Sequence, residues 1–90
     1  MADAKGSFQG KVNGFHVLRF GEGGTHFRCF AMVTNPDLRQ PDNEVQVFTD
    51  ELALMLALSV GAAAKAKVDA AYNESDEGRR LSSLRVLDRD

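Results

Sequence analysis

From Gly10 onward the apolar and polar residues begin to alternate, at first roughly, and the elements follow from that change. Residues 1 to 9, MADAKGSFQ, show no apolar spacing and are expected to form a flexible tail. In GKVNGFHVLRF, residues 10 to 20, Val12, Leu18 and Phe20 fall in one phase and Phe15 and Val17 in the other. A strand whose apolar residues change phase predicts a bulge, and Gly14 is the natural place for it. THFRCFAMVT, residues 25 to 34, reads as a second strand. Phe27, Cys29, Ala31 and Val33 share one face, and His26, Arg28, Phe30 and Met32 share the other. Between the two strands, Gly21-Glu22-Gly23-Gly24 has the composition of a hairpin connection. Asn35 to Asn43 holds both prolines and reads as a loop, and EVQVFT, residues 44 to 49, is a third strand.

The period then lengthens. Leu52, Met55, Leu56 and Ser59 recur at helical spacing, and Leu54 and Leu58 widen the apolar face. Thr49 or Asp50 is the expected cap, with Asp50 and Glu51 at the positive end of the helix dipole. Gly61 is the expected terminator, although the alanines after it could prolong the helix by a turn. AKVDAAYN returns to alternation, with Ala66, Val68, Ala70 and Tyr72 inward. ESDEG is a polar turn, and RRLSSLRVLDRD gives a fifth strand with Leu84 and Val86 in phase.

The predicted fold is α+β, in the order β-β-β-α-β-β, with one helix between strands 3 and 4 and a single domain over residues 10 to 90. That order resembles the OB-fold, a five-stranded Greek-key barrel. The resemblance covers residues 10 to 89 and implies a five-stranded antiparallel barrel plugged by the helix. A strongly curved open sheet with the helix across one face is the rival architecture. The stretch GKVNGF is also similar to the opening of a cold-shock domain. HFRCFAMV lacks that family's closely spaced aromatic–glycine signature, and the chain has no tryptophan.

Composition narrows the function classes. Ninety residues with 43% hydrophobic content suit one small core. Eleven basic against thirteen acidic residues give a net charge of −2, which argues against a wholesale basic nucleic-acid binder but leaves room for a local basic face. One cysteine excludes an internal disulfide and a cysteine-rich zinc site. No apolar run reaches the length of a membrane span, and a cytoplasmic protein is expected.

The residues that could carry chemistry are few. GEGG is followed by an alternating strand pattern, whereas a phosphate loop requires a helix start there. His26 and Cys29 lie three apart on a strand and so point to opposite faces. His16 could meet His26 across the hairpin, but no carboxylate completes a metal site. The acidic residues sit in polar loops, where nothing raises a carboxyl pKa for acid–base work. No catalytic set, metal or cofactor is therefore expected.

A binding surface is. The OB resemblance implies a ligand face on the second and third strands. Arg28, Phe30 and Met32 occupy the outward phase of the second strand, and Phe15, Arg19 and His26 are expected to join them. Such a patch serves a protein partner or self-association through its apolar residues. It also serves single-stranded nucleic acid, whose bases stack on aromatics while arginines hold the phosphates. The sequence favours a non-catalytic binding or assembly module, with nucleic-acid binding as the alternative.

Overall fold

Each strand of this protein runs antiparallel to the next in sequence until the helix intervenes. The structure is a computed structural model, and residues 4 to 87 are described. The elements are β1 (Ala4–Phe20), β2 (His26–Thr34), β3 (Glu44–Thr49), α1 (Leu52–Ala64), β4 (Lys67–Ser75) and β5 (Gly78–Val86). The strands close into a ring in the order β1-β2-β3-β5-β4, with β1 pairing both β2 and β4. The fold is OB-like, and among the described residues its one α-helix lies between β3 and β4 as the sequence predicts. One pairing departs from the antiparallel expectation: β3 meets β5 in parallel at Phe48 and Arg80. Direction alone requires this. β2 and β4 both oppose β1, so β3 and β5 each run the same way as β1.

β1 is longer than its sequence pattern suggests. Residues 4 to 9 were expected as tail, yet they form its first part, and residues 4 to 11 pair with β4. The inward positions there are Gly6, Phe8 and Gly10, while Lys5, Ser7 and Gln9 face solvent. Two glycines thus stand where alternation would show apolar side chains. Both are required by close approach. A Cβ on Gly6 would lie 2.8 Å from the Tyr72 ring, and one on Gly10 would collide with the Thr34 carbonyl. Gly10 is where β1 passes from β4 to β2. The bulge falls where it was expected: the β1–β2 register shifts between Val12 and Phe15, and Gly14 has φ 94°.

The core joins Val12, Cys29, Ala31, Val33, Val47, Leu58, Val68, Ala70 and Leu81. α1 reaches it through Leu58 and Gly61. The even apolarity of the helix misleads about which face is buried. Leu56, expected in the core, is 53% exposed, whereas Leu58 is 0% exposed. A second bulge opposite Ala71 and Tyr72 resets β5, so that Leu81 is buried and Leu84 packs on the core. Val86, expected to share the inward phase of Leu84, is exposed near the end of the strand.

The helix start differs from expectation, whereas the alanines after Gly61 prolong the helix by a turn, to Ala64. Glu51 is the N-cap and makes no side-chain cap bond; its own N–H donates to Thr49 Oγ1 at 3.0 Å. Gly61 lies within the helix, where a Cβ would come 3.3 Å from Val68. Lys65 ends the helix in the left-handed conformation, φ 55°. The Lys65 N–H donates to the Ala62 carbonyl and the Ala66 N–H to the Gly61 carbonyl, which is a Schellman motif. A side chain is strained in that conformation and glycine is not. Lys65→Gly should therefore raise unfolding stability by about 0.5–1 kcal/mol in a urea melt.

Candidate nucleic-acid interface

The bulge at Gly14 decides which β1 residues face outward. Beyond it, register sets His16 opposite Phe30, Leu18 opposite Arg28 and Phe20 opposite His26. Phe30 in turn pairs with Phe48, and Met32 with Gln46. Directly opposed residues share a face, so His16, Phe30 and Phe48 form a row across three strands. Their ring centroids are 6.4 Å apart from His16 to Phe30 and 6.2 Å from Phe30 to Phe48. Phe20 and His26 form a second ring pair at 5.6 Å nearer the hairpin.

A groove of about 680 Å³ opens beside the row, lined by Phe15, His16, Phe30, Met32, Glu44 and Gln46 among others. Its floor is aromatic and aliphatic, and its rim carries an imidazole, an amide and a carboxylate. Polar groups at the rim of an apolar floor suit planar ligands that stack and also hydrogen-bond. A smaller hollow of about 420 Å³ holds Phe20, His26, Arg28 and Asp50 at the other end.

The arginines on this face are already engaged. Arg28 donates from Nε and Nη2 to the two oxygens of Asp50, at 2.9 and 3.0 Å. Arg80 donates to Asp50 at 3.3 Å and to Glu77 at 3.1 Å. Both guanidiniums lie over Phe48, at 4.5 and 4.8 Å from the ring centroid, and Phe48 is buried. The bidentate bond that Arg28 donates to Asp50 raises the Arg28 pKa. The same bond, with a further one from Arg80, holds the Asp50 carboxyl below its ordinary value against the opposing effect of burial. A depressed carboxyl pKa stabilises the fold above the unfolded value, and that stabilisation is lost as pH falls through the folded value. Since the Asp50 side chain is about one-third exposed, solvent screening moderates its size.

Four of the six expected residues share the outward face: His26, Arg28, Phe30 and Met32. Phe15 joins them by lining the groove, although register sets it opposite Ala31. Arg19 does not join them. The bulge turns it to the face of Phe27, and its guanidinium donates to the Gly24 carbonyl at 3.0 and 3.3 Å. His16, Leu18, Phe20, Phe48, Arg80 and Asp50 were missed. Reading the Gly14 bulge as a change of phase would have found the first three, and alternation from Val45 and Val47 would have marked Phe48 as outward.

The other sequence candidates resolve simply. Glu22–Gly24 forms one short 3₁₀ turn leading into β2, so GEGG is a hairpin connection. Cys29 is fully buried, and burial pushes its thiol pKa up, away from the reactive thiolate. Among the described residues, no three histidine, cysteine or acidic side chains gather as a metal-ligand group. No described helix is long and apolar enough to cross a membrane.

Fold and face together define an OB-like domain with an aromatic surface on its first two strands, flanked by the arginine-covered Phe48 of β3. No protein-family model matches the chain, and no curated protein sequence matches it. The mitochondrial single-stranded DNA-binding protein Rim1 from S. cerevisiae is similar in structure, with a TM-score of 0.71 and 11% sequence identity. The match covers 100% of this chain and 99% of that one. At that identity the likeness establishes the fold.

Proposed function

We propose that this protein binds single-stranded nucleic acid, without catalysis, across the outward face of β1, β2 and β3. The row His16–Phe30–Phe48 carries the reading. Successive bases need successive flat surfaces, and His16 on β1 and Phe30 on β2 supply two with centroids 6.4 Å apart, while Phe48 on β3 is buried under Arg28 and Arg80 and carries the two guanidiniums beside them. The structural likeness to a single-stranded DNA-binding protein supports it. A protein partner docking on Phe30 and Met32 has less support. Both are half-buried, and the polar Glu44, His16 and Gln46 share their groove.

Phosphate would reach Arg28 and Arg80 by exchange. The two arginines, Asp50 and Glu77 sum to zero charge, so the backbone phosphate replaces a carboxylate already in place. This reconciles an arginine-bearing face with a chain of net charge −2. Asp50→Asn should bind a mixed-sequence oligonucleotide about three- to tenfold more tightly at low salt. Its log–log salt dependence should steepen by about one unit, since each newly engaged phosphate contributes roughly 0.7–0.9. Fluorescence anisotropy across a salt series measures both.

A ¹⁵N amide titration with that oligonucleotide tests the function itself. Shifts should centre on His16, Leu18, Arg28, Phe30, Met32 and Gln46, and should fade as salt is added. Absence of any shift at low salt, or shifts confined to α1, would overturn the proposal.

A further inference from the structure

We infer that the exposed face of α1 pairs with the same face of a second copy of this chain, forming an antiparallel helix dimer. The helix LALMLALSVGAAA contains no charged residue over its thirteen positions. Leu58 and Gly61 are buried on the barrel, and the opposite side remains apolar. Leu52, Leu56 and Val60 are 57%, 53% and 62% exposed. They are spaced four apart and form one ridge along the helix.

The rows beside that ridge are mostly small: Ala53 and Ala57 on one side, and Ser59 and Ala63, beyond Met55, on the other. A ridge of large side chains next to rows of small ones is complementary to itself. Under a two-fold axis, each copy's ridge enters the other's shallow row, and one surface serves both partners. A partner recognised through charge would find none along the helix.

The ends of the helix choose the direction. Glu51 precedes the first turn and Lys65 follows the last, and both are exposed. An antiparallel pair brings each Glu51 toward the second copy's Lys65 and opposes the helix dipoles. A parallel pair would set like charges together.

Area sets the strength. Thirteen residues span about 20 Å. The apolar surface continues past Leu52 and Met55 to Val17 and Phe27, which line a hollow of about 190 Å³ with them. A helix face of this length with its hairpin margin buries on the order of 1,000 Å² over both copies, the lower end for a specific interface. A weak dimer follows, formed at micromolar concentration or above. The ridge residues do not line the groove over Phe30, so the dimer would leave two base-stacking faces open. The inference stands independently of what those faces bind.

Sedimentation equilibrium of the full chain, over a concentration series from low micromolar to near millimolar, tests it. The wild type should move from 9.8 kDa toward twice that mass. Leu56→Glu should weaken association about tenfold or more, with an unchanged circular dichroism spectrum because the site is exposed. Lys65→Glu should weaken it up to about fivefold, and adding Glu51→Lys should restore it. A wild type that stays monomeric throughout would overturn the inference and leave the face to another partner. Association that Leu56→Glu leaves intact, or that proceeds beyond two copies, would overturn it as well.

Discussion

Leu58→Ala should cost about 3–5 kcal/mol of unfolding free energy, while Leu56→Ala, two residues earlier, should cost less than about 1 kcal/mol. The two leucines look alike in sequence and differ entirely in setting. Leu58 is fully buried in the cluster that includes Val12 and Val68, and its removal leaves a cavity which a closed ring of strands has little freedom to collapse. Leu56 already has more than half its surface in water. A domain of this length has roughly 5–13 kcal/mol of total stability, so the first change takes a large part of it and the second almost none. Paired urea melts with equal slopes would show this as a large shift of midpoint for Leu58→Ala alone. Equal shifts would mean that the helix is rotated on the barrel relative to the structure described here. Because self-association adds stability at high concentration, the comparison belongs at low protein concentration.

The helix shows where sequence reasoning loses its grip. Period identifies a helix when polar residues mark its outer side, and LALMLALSVGAAA has no such mark. Its existence was legible; its rotation was not. β2 behaved oppositely. Its apolar inner phase of Cys29, Ala31 and Val33 is buried as read, because His26 and Arg28 identify the other face. β1 combined both problems. Gly6 and Gly10 replaced apolar residues where neighbouring atoms leave no room for a side chain, so residues 4 to 9 looked like a tail. The bulge at Gly14 was visible, but its consequence for Arg19 and His16 depended on the pairing with β2. The candidate site was half legible for the same reason. Phe30 and Met32 follow from alternation within one strand. The ion cluster of Arg28, Asp50, Arg80 and Glu77 joins residues up to 52 positions apart, and only the meeting of β3 with β5 assembles it.

Phe30→Ala should weaken oligonucleotide binding about tenfold, within the roughly 1–3 kcal/mol that one base–aromatic stack contributes. Phe30 is central to the aromatic row, between His16 and the arginine-covered Phe48, so its loss interrupts the stacking surface. Phe48 cannot substitute for it while Arg28 and Arg80 cover its ring. The domain should stay folded, since Phe30 is half-buried and lies outside the main core cluster. Arg19→Ala is the matched control: it changes a cation on the other face and should alter affinity little. Salt dependence separates stacking from charge. Phe30→Ala should lower affinity by the same factor at every salt concentration, because the ring touches no phosphate. Asp50→Asn should change the slope itself. If Phe30→Ala instead flattened the slope, its ring would be acting by positioning Arg28, and the aromatic row would be a support for the charged cluster rather than the surface on which bases stack.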